Sequence, residues 1–133
     1  MLSQNDDLEL DAFINSTINN NYTIKEKIGL GGMGLVFRAT NLVTKEDVAI
    51  KFISPQLVKN EKSRKRFLRE ASVGQILNHQ NIIKIYESGE TTEGILFIVM
   101  EYFQALTLDE YLKQHAPLSP RQCLEILKPI CQA

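Results

Sequence analysis

Ile28-Gly29-Leu30-Gly31-Gly32-Met33-Gly34-Leu35-Val36 is followed, after a polar turn, by Val48-Ala49-Ile50-Lys51. Gly29, Gly31 and Gly34 stand at G-x-G-x-x-G spacing. Without Cβ atoms they let the main chain come close to a phosphate and take up backbone angles closed to other residues. The spacing alone is ambiguous, because dinucleotide-binding βαβ units carry it with the glycines opening a helix. Here the glycines open Leu35-Val36-Phe37-Arg38-Ala39-Thr40, a β-branched and aromatic run that reads as a strand. G-x-x-x-x-G-K-[ST] does not occur in the chain. What remains is a glycine turn between antiparallel strands, which is either a phosphate cover or a flexible hairpin tip.

Lys51 favours the first reading. In a strand over Asp47 to Ile53, Val48, Ile50 and Phe52 share one face while Ala49 and Lys51 share the other. Small Ala49 leaves room for a planar base, and Lys51 one step along reaches its phosphates. Val36, just past the glycines, covers the same base. A lysine facing a cleft needs an anionic partner. The long helix expected over Glu61 to Leu77 offers Glu70 on its inner side, beside Ala71. The competing reading of Glu70 is a surface pair with Arg66, one turn back.

The surrounding pattern is that of a meander followed by helices. Tyr22, Ile24 and Ile28 share a parity, with Lys25 and Lys27 on the other, as in a strand with one buried face. Gln56 to Asn60 has room for one helical turn after Ser54-Pro55. On the long helix Phe67, Leu68, Ala71, Gln75 and Ile76 are expected inward. Ile82 to Glu87 and Ile95 to Glu101 read as two further strands joined by a hairpin turn. Thr107 caps a helix to about His115, with Glu110 completing a capping box, and Ser119-Pro120 opens another. Leu124, Leu127, Ile130 and Cys131 recur there at helical spacing, an apolar stripe for a protein partner or a further lobe to cover. The sequence ends within that pattern, as a fragment would. Residues 1–21 are expected to be an N-terminal extension, ordered only in part, with Leu8, Leu10, Phe13, Ile14 and Ile18 able to line a short helix.

The totals exclude other classes. A chain of 133 residues suits one domain, and 44% hydrophobic with 23% charged residues is an ordinary globular balance. A net charge of -1 gives no sign of nucleic-acid binding. No run of 18 apolar residues suggests a membrane span, and the acidic start lacks the form of a signal peptide. Cys123 and Cys131 are the only cysteines, without metal-ligand spacing. No metal site and a cytoplasmic location are therefore expected.

Taken together, Gly29 to Val36 as G-x-G-x-x-G-x-V and Val48-Ala49-Ile50-Lys51 resemble protein kinases. Phe67-Leu68-Arg69-Glu70-Ala71, Leu77-Asn78-His79-Gln80-Asn81-Ile82-Ile83 and Ile98-Val99-Met100-Glu101-Tyr102 follow in the order and spacing of that family. The Gly-Gly-Met-Gly turn is most similar to the bacterial, eukaryotic-type Ser/Thr kinases. The resemblance covers Tyr22 to Ala133. It implies an α+β fold with a five-stranded antiparallel sheet and one helix, the family's αC, in an N-lobe over residues 22–103 that includes the hinge. Residues 104–133 would begin the C-lobe with two helices.

By the same resemblance the ligand is ATP. Ile28, Gly29, Leu30, Gly31, Gly32, Met33, Gly34 and Val36 would cover the nucleotide, and Ala49 would contact its base. Lys51, paired with Glu70, would hold the α- and β-phosphates. Met100 would close the back of the adenine pocket, and Glu101 and Phe103 would supply hinge hydrogen bonds. The departures are as informative. H-R-D, D-F-G and A-P-E are all absent, and Ala105 stands where many relatives have glycine. The catalytic aspartate and the Mg2+-holding residues are thus missing, and Mg2+ is expected only with the rest of a C-lobe. The expectation is the ATP-binding part of a Ser/Thr protein kinase, phosphorylating protein substrates in a full-length form but catalytically incomplete as it stands. The alternative is a non-catalytic, pseudokinase-like module that binds nucleotide or docks on a partner.

Overall fold

The computed structural model describes residues 13–31 and 34–133, with Gln56 and Leu57 described by their backbone alone. The expected N-terminal helix positions Leu8 and Leu10, and Gly32 and Met33 of the glycine turn, lie outside the described residues. Among the described residues six antiparallel strands form one sheet: β1 (Thr17–Ile18), β2 (Tyr22–Gly31), β3 (Gly34–Asn41), β4 (Asp47–Ile53), β5 (Ile85–Glu90) and β6 (Leu96–Glu101). Their spatial order is β1-β2-β3-β4-β6-β5. The helices among the described residues are α1 (Glu61–Ile76), α2 (Leu108–His115) and α3 (Pro120–Cys131). A 3-10 turn, Pro55–Val58, follows β4 where the proline stops the strand.

By its internal contacts the chain divides into two units, one of residues up to Leu77 with Lys84–Tyr102, the other of Asn78–Ile83 with Phe103–Ala133. The first unit carries the sheet and α1. Alternation along β3 and β4 puts Leu35, Phe37 and Ala39 with Val48, Ile50 and Phe52 on one face, all buried. Phe97 and Val99 of β6 join them from the same face. The Phe37 and Phe52 rings meet edge-on at 5.7 Å, and Phe13 stacks on Phe52 at 5.0 Å. Each such buried ring contributes about 1.5–3 kcal/mol of apolar burial. This layer is the main core.

The sixth strand, β1, was not expected. Ile18 to Asn21 forms a tight turn in which Asn21 N–H donates to the Ile18 carbonyl at 3.0 Å. Asn19 and Asn20 take φ of 48° and 60°, the left-handed pair of a type I′ hairpin turn that asparagine tolerates. The asparagine run therefore reverses the chain and pairs Thr17 with Thr23. The sheet curls far enough for the Glu87 carboxylate of β5 to act on the Tyr22 phenol of β2, although these strands are not neighbours in the sheet. Burial foremost, and then the Glu87 carboxylate, push the Tyr22 phenol up to about 12.

Helix α1 is capped by Asn60, whose side chain accepts from Ser63 N–H at 2.9 Å. Phe67 and Leu68 pack against Ile53, Val58 and Leu96 on the opposite side of the sheet from the phenylalanine layer. Arg64 pairs with Glu90 and donates to the Gly94 carbonyl at 3.2 Å, while Gln75 donates to Ser88 at 3.1 Å. These ties fix the helix at both ends. Ile76, expected inward, is 81% exposed. At 100° per residue it sits about 140° around the helix from buried Ala71, whereas Phe67 and Gln75 lie within about 40°.

In the second unit, α2 starts with the expected capping box of Thr107 with Glu110, and α3, opened by Ser119-Pro120 as expected, carries a second box of Ser119 with Gln122. Asn81 donates from its side-chain amide to the Pro129 carbonyl of α3 at 2.9 Å. Leu124, Leu127 and Ile130 are more than half exposed. Strand boundaries around the β5–β6 hairpin differ from expectation, and β5 runs on to Glu90 where a turn from Ser88 was expected. The strand expected at Ile82 starts at Ile85, because His79 to Ile82 closes a turn in which Ile82 N–H donates to the His79 carbonyl at 3.0 Å. The hairpin partner starts at Leu96, one residue late.

Candidate functional site

Residues paired directly across antiparallel strands share a face of the sheet. The register pairs Val36 with Lys51 and Lys51 with Ile98, so these three form one row, with Gly29 opposite Val36 at its β2 end. The next row is Glu26, Arg38, Ala49 and Met100. Both rows lie on the face opposite the phenylalanine core. The strands thus bring together Gly29, Val36, Ala49, Lys51 and Met100 among the residues expected from sequence. Ala49 is buried, and Val36, Lys51 and Met100 are half-buried. A Cβ built on Gly29 meets nothing within 4 Å, so the surface beside Val36 and Lys51 is open at that point.

Gly34 serves a different purpose. A Cβ there would lie 1.8 Å from the Phe52 carbonyl oxygen, so only glycine lets β3 lie this close to the end of β4. Gly31 pairs with Gly34 as the last rung of the β2–β3 ladder. Ile28 and Leu30 are 41% and 66% exposed. For Ile28 this departs from the expected strand parity. The β2–β3 register shifts between Ile24 and Glu26 and again between Lys27 and Gly29, and each bulge breaks the two-residue alternation.

Glu70 is not on the inner side of α1. Its carboxylate lies 2.8 Å from Arg66 Nε in an exposed pair, and that carboxylate holds the Arg66 guanidinium above its ordinary range. Glu70 follows Arg69 and precedes Ala71, so it is turned about 100° from the residue that faces the sheet. The expected Lys51–Glu70 pair is not formed in this structure, and no other ion pair to Lys51 is present among the described residues. Glu101 is anchored to Lys84, with Glu101 N–H donating to the Lys84 carbonyl at 2.9 Å. Phe103 belongs to the second unit and is 56% exposed. A separate cleft of about 320 Å³, between residues 13–20 and the β5–β6 turn at Thr91, Thr92 and Glu93, contains none of the expected site residues.

Sequence reasoning missed Arg38, Glu26 and Ile98 on this face. For Arg38 and Ile98 the alternation itself was the available signal, since Arg38 stands two residues past Val36. Glu26 was hidden by the bulges. No group of three or more His, Cys, Asp or Glu able to hold a metal occurs among the described residues. No helix there is long and apolar enough to cross a membrane.

The model of the protein kinase domain matches residues 22–133. The chain belongs to the protein kinase family. Among curated relatives it is 38% identical over 120 residues to the serine/threonine-protein kinase PrkC of Bacillus subtilis, covering 90% of this chain and 18% of that protein. It is 34% identical to pkn3 of Myxococcus xanthus, covering 94% and 23%. For PknB of Mycobacterium tuberculosis the values are 36% identity, 89% and 19%. Among solved structures, the PknI kinase domain of Mycobacterium tuberculosis superposes with a TM-score of 0.77 at 26% identity, covering 88% of this chain and 47% of that one. The chain therefore spans about a fifth of these kinases' length and about half of that kinase domain.

Proposed function

We propose that this chain is the ATP-binding part of a bacterial-type serine/threonine protein kinase that works in the cytoplasm. The carrying observation is the strand register that sets Gly29, Val36, Ala49 and Lys51 on one face, with open space beside Gly29. Buried, small Ala49 beside Val36 and Met100 suits the flat face of a base. Lys51, without an ion pair among the described residues, suits a phosphate. The glycine turn from Gly29 to Gly34 would lie over the phosphates, and Glu101 and Phe103 would hold the adenine edge. Glu70 would pair with Lys51 once released from Arg66.

Mg2+, when bound, neutralises charge on the phosphates. The acidic residues that hold it in this family belong to motifs absent from the sequence, so its ligands would come from a further segment. That segment, the remainder of a C-lobe, would also cover Leu124, Leu127 and Ile130. Protein substrates would be phosphorylated by the full-length form, and the 133 residues alone would transfer no phosphate.

Titration of the purified chain with a fluorescent ATP analogue tests this reading. The chain should bind, and Lys51→Ala should weaken binding by about 10- to 100-fold, the effect of losing a charge-assisted contact. Equal binding by both, or none by the wild type, would overturn it.

A further inference from the structure

Strand β2 is irregular where it leads into the glycine turn. Between its two register shifts only the rungs Glu26↔Arg38 and Lys27↔Phe37 remain regular. Bulges interrupt the ladder, so two rungs alone define register weakly and side chains carry more of the task. Arg38 is placed to do it. Its Nε, withdrawn from solvent, lies 2.9 Å from Glu26 Oε1 as an ion contact without hydrogen-bond alignment. Its Nη1 donates to Asp47 Oδ2 at 3.2 Å, at the first residue of β4. The second Asp47 oxygen accepts from Thr40 Oγ1 of β3 at 3.0 Å. One guanidinium therefore joins β2, β3 and β4, in the row next to Lys51.

We propose that Arg38 is a positioning residue: by holding Glu26 and Asp47 on either side of β3, it fixes the register of β2 and hence the placement of the glycine turn over the Lys51 row. Arginine suits this because its planar fork presents several donors in fixed directions, whereas a lysine offers a single point charge. The effect on nucleotide affinity rests on the ATP reading above. The effect on backbone protection does not.

The test is amide hydrogen exchange on the 133-residue chain, comparing wild type with Glu26→Gln, Arg38→Lys and Arg38→Ala. Glu26→Gln keeps the side-chain volume at a position whose side chain is 55% exposed, so the fold is retained. Amides of Gly29, Leu30, Leu35 and Val36 should exchange ~3- to 10-fold faster in Glu26→Gln, as for loss of a partly exposed ion pair. Those of Ile50 and Val99 should keep their rates. Affinity for the fluorescent ATP analogue should fall ~3- to 10-fold in parallel, with Arg38→Lys between wild type and Arg38→Ala. Unchanged exchange near the glycine turn would overturn the role of Arg38, and so would uniform acceleration across all strands, the mark of general destabilisation. A wild type that binds no nucleotide would sink the ATP reading instead, while the exchange pattern would still decide for or against Arg38.

Discussion

Gly29 and Gly34 belong to the same motif, yet the structure demands opposite outcomes when each is replaced by alanine. At Gly34 the new Cβ would sit 1.8 Å from the Phe52 carbonyl oxygen and 2.9 Å from its carbon. Both atoms are main chain of β4, a strand paired on both sides, so no side chain can swing aside. The β3 and β4 backbones would have to separate by more than an ångström at the rung next to the glycine turn. Overpacking of this kind costs about 1–3 kcal/mol, and the Gly34 φ of 155° adds strain for an L-residue. A total of ~3 kcal/mol corresponds to a drop in melting temperature of roughly 8–15 °C for a chain of 133 residues. At Gly29 nothing lies within 4 Å of the added methyl group, and Gly29→Ala should stay within ~0.5 kcal/mol of wild type. Circular dichroism melts of the two variants decide the matter. Equal shifts, or a larger one for Gly29→Ala, would refute the close β3–β4 approach at Gly34.

Two further outcomes follow from the packing. The Tyr22 phenol is raised from 10.0 to about 12, so its neutral form is favoured in the folded state; this stability is complete below pH 10 and is lost as pH rises towards about 12. Denaturant melts should show wild type losing up to ~2–3 kcal/mol relative to Tyr22→Phe across that window, and parallel curves would contradict the burial of the Tyr22 phenol. Phe13→Ala should lower stability by ~1–3 kcal/mol, below the 3–5 of a fully buried ring, because Phe13 is only partly buried in its stack on Phe52. A thermal melt identical to wild type would mean that the segment before β2 is not part of the core.

Much of the site was legible in the sequence because strand alternation is a rigid rule. Val36, Ala49 and Lys51 fall on one face for the same reason that Leu35, Ile50 and Phe52 fall on the other. What stayed hidden depended on packing. The bulges in β2 have no residue signature, and they turned Ile28 outward while putting Glu26 beside Arg38. The phase of α1 was readable only to within a residue: Phe67, Leu68 and Ala71 define an inward face, and Glu70 sits at its margin, where a step of 100° decides between a lysine in the site and an arginine on the surface. The asparagine run was legible as a stop and not as a hairpin, since only the left-handed angles of Asn19 and Asn20 distinguish the two. The Ile82-Ile83 pair has strand composition, but the His79 turn claims it first.

The seam between β4 and β6 has a consequence for how the site comes into being. Strands β1 to β4 follow one another as a meander, and their contacts are local in sequence. By contrast, Lys51 meets Ile98, and Ala49 meets Met100, across about fifty residues that include all of α1. Closing so long a loop is a slower event than zipping a hairpin, since its entropy must be spent before any contact forms. The rows of the candidate site are therefore complete only once the β5–β6 hairpin has docked. Any ligand held across Ala49 and Met100 acts on that last step, selecting chains whose seam has closed over those whose meander alone has formed.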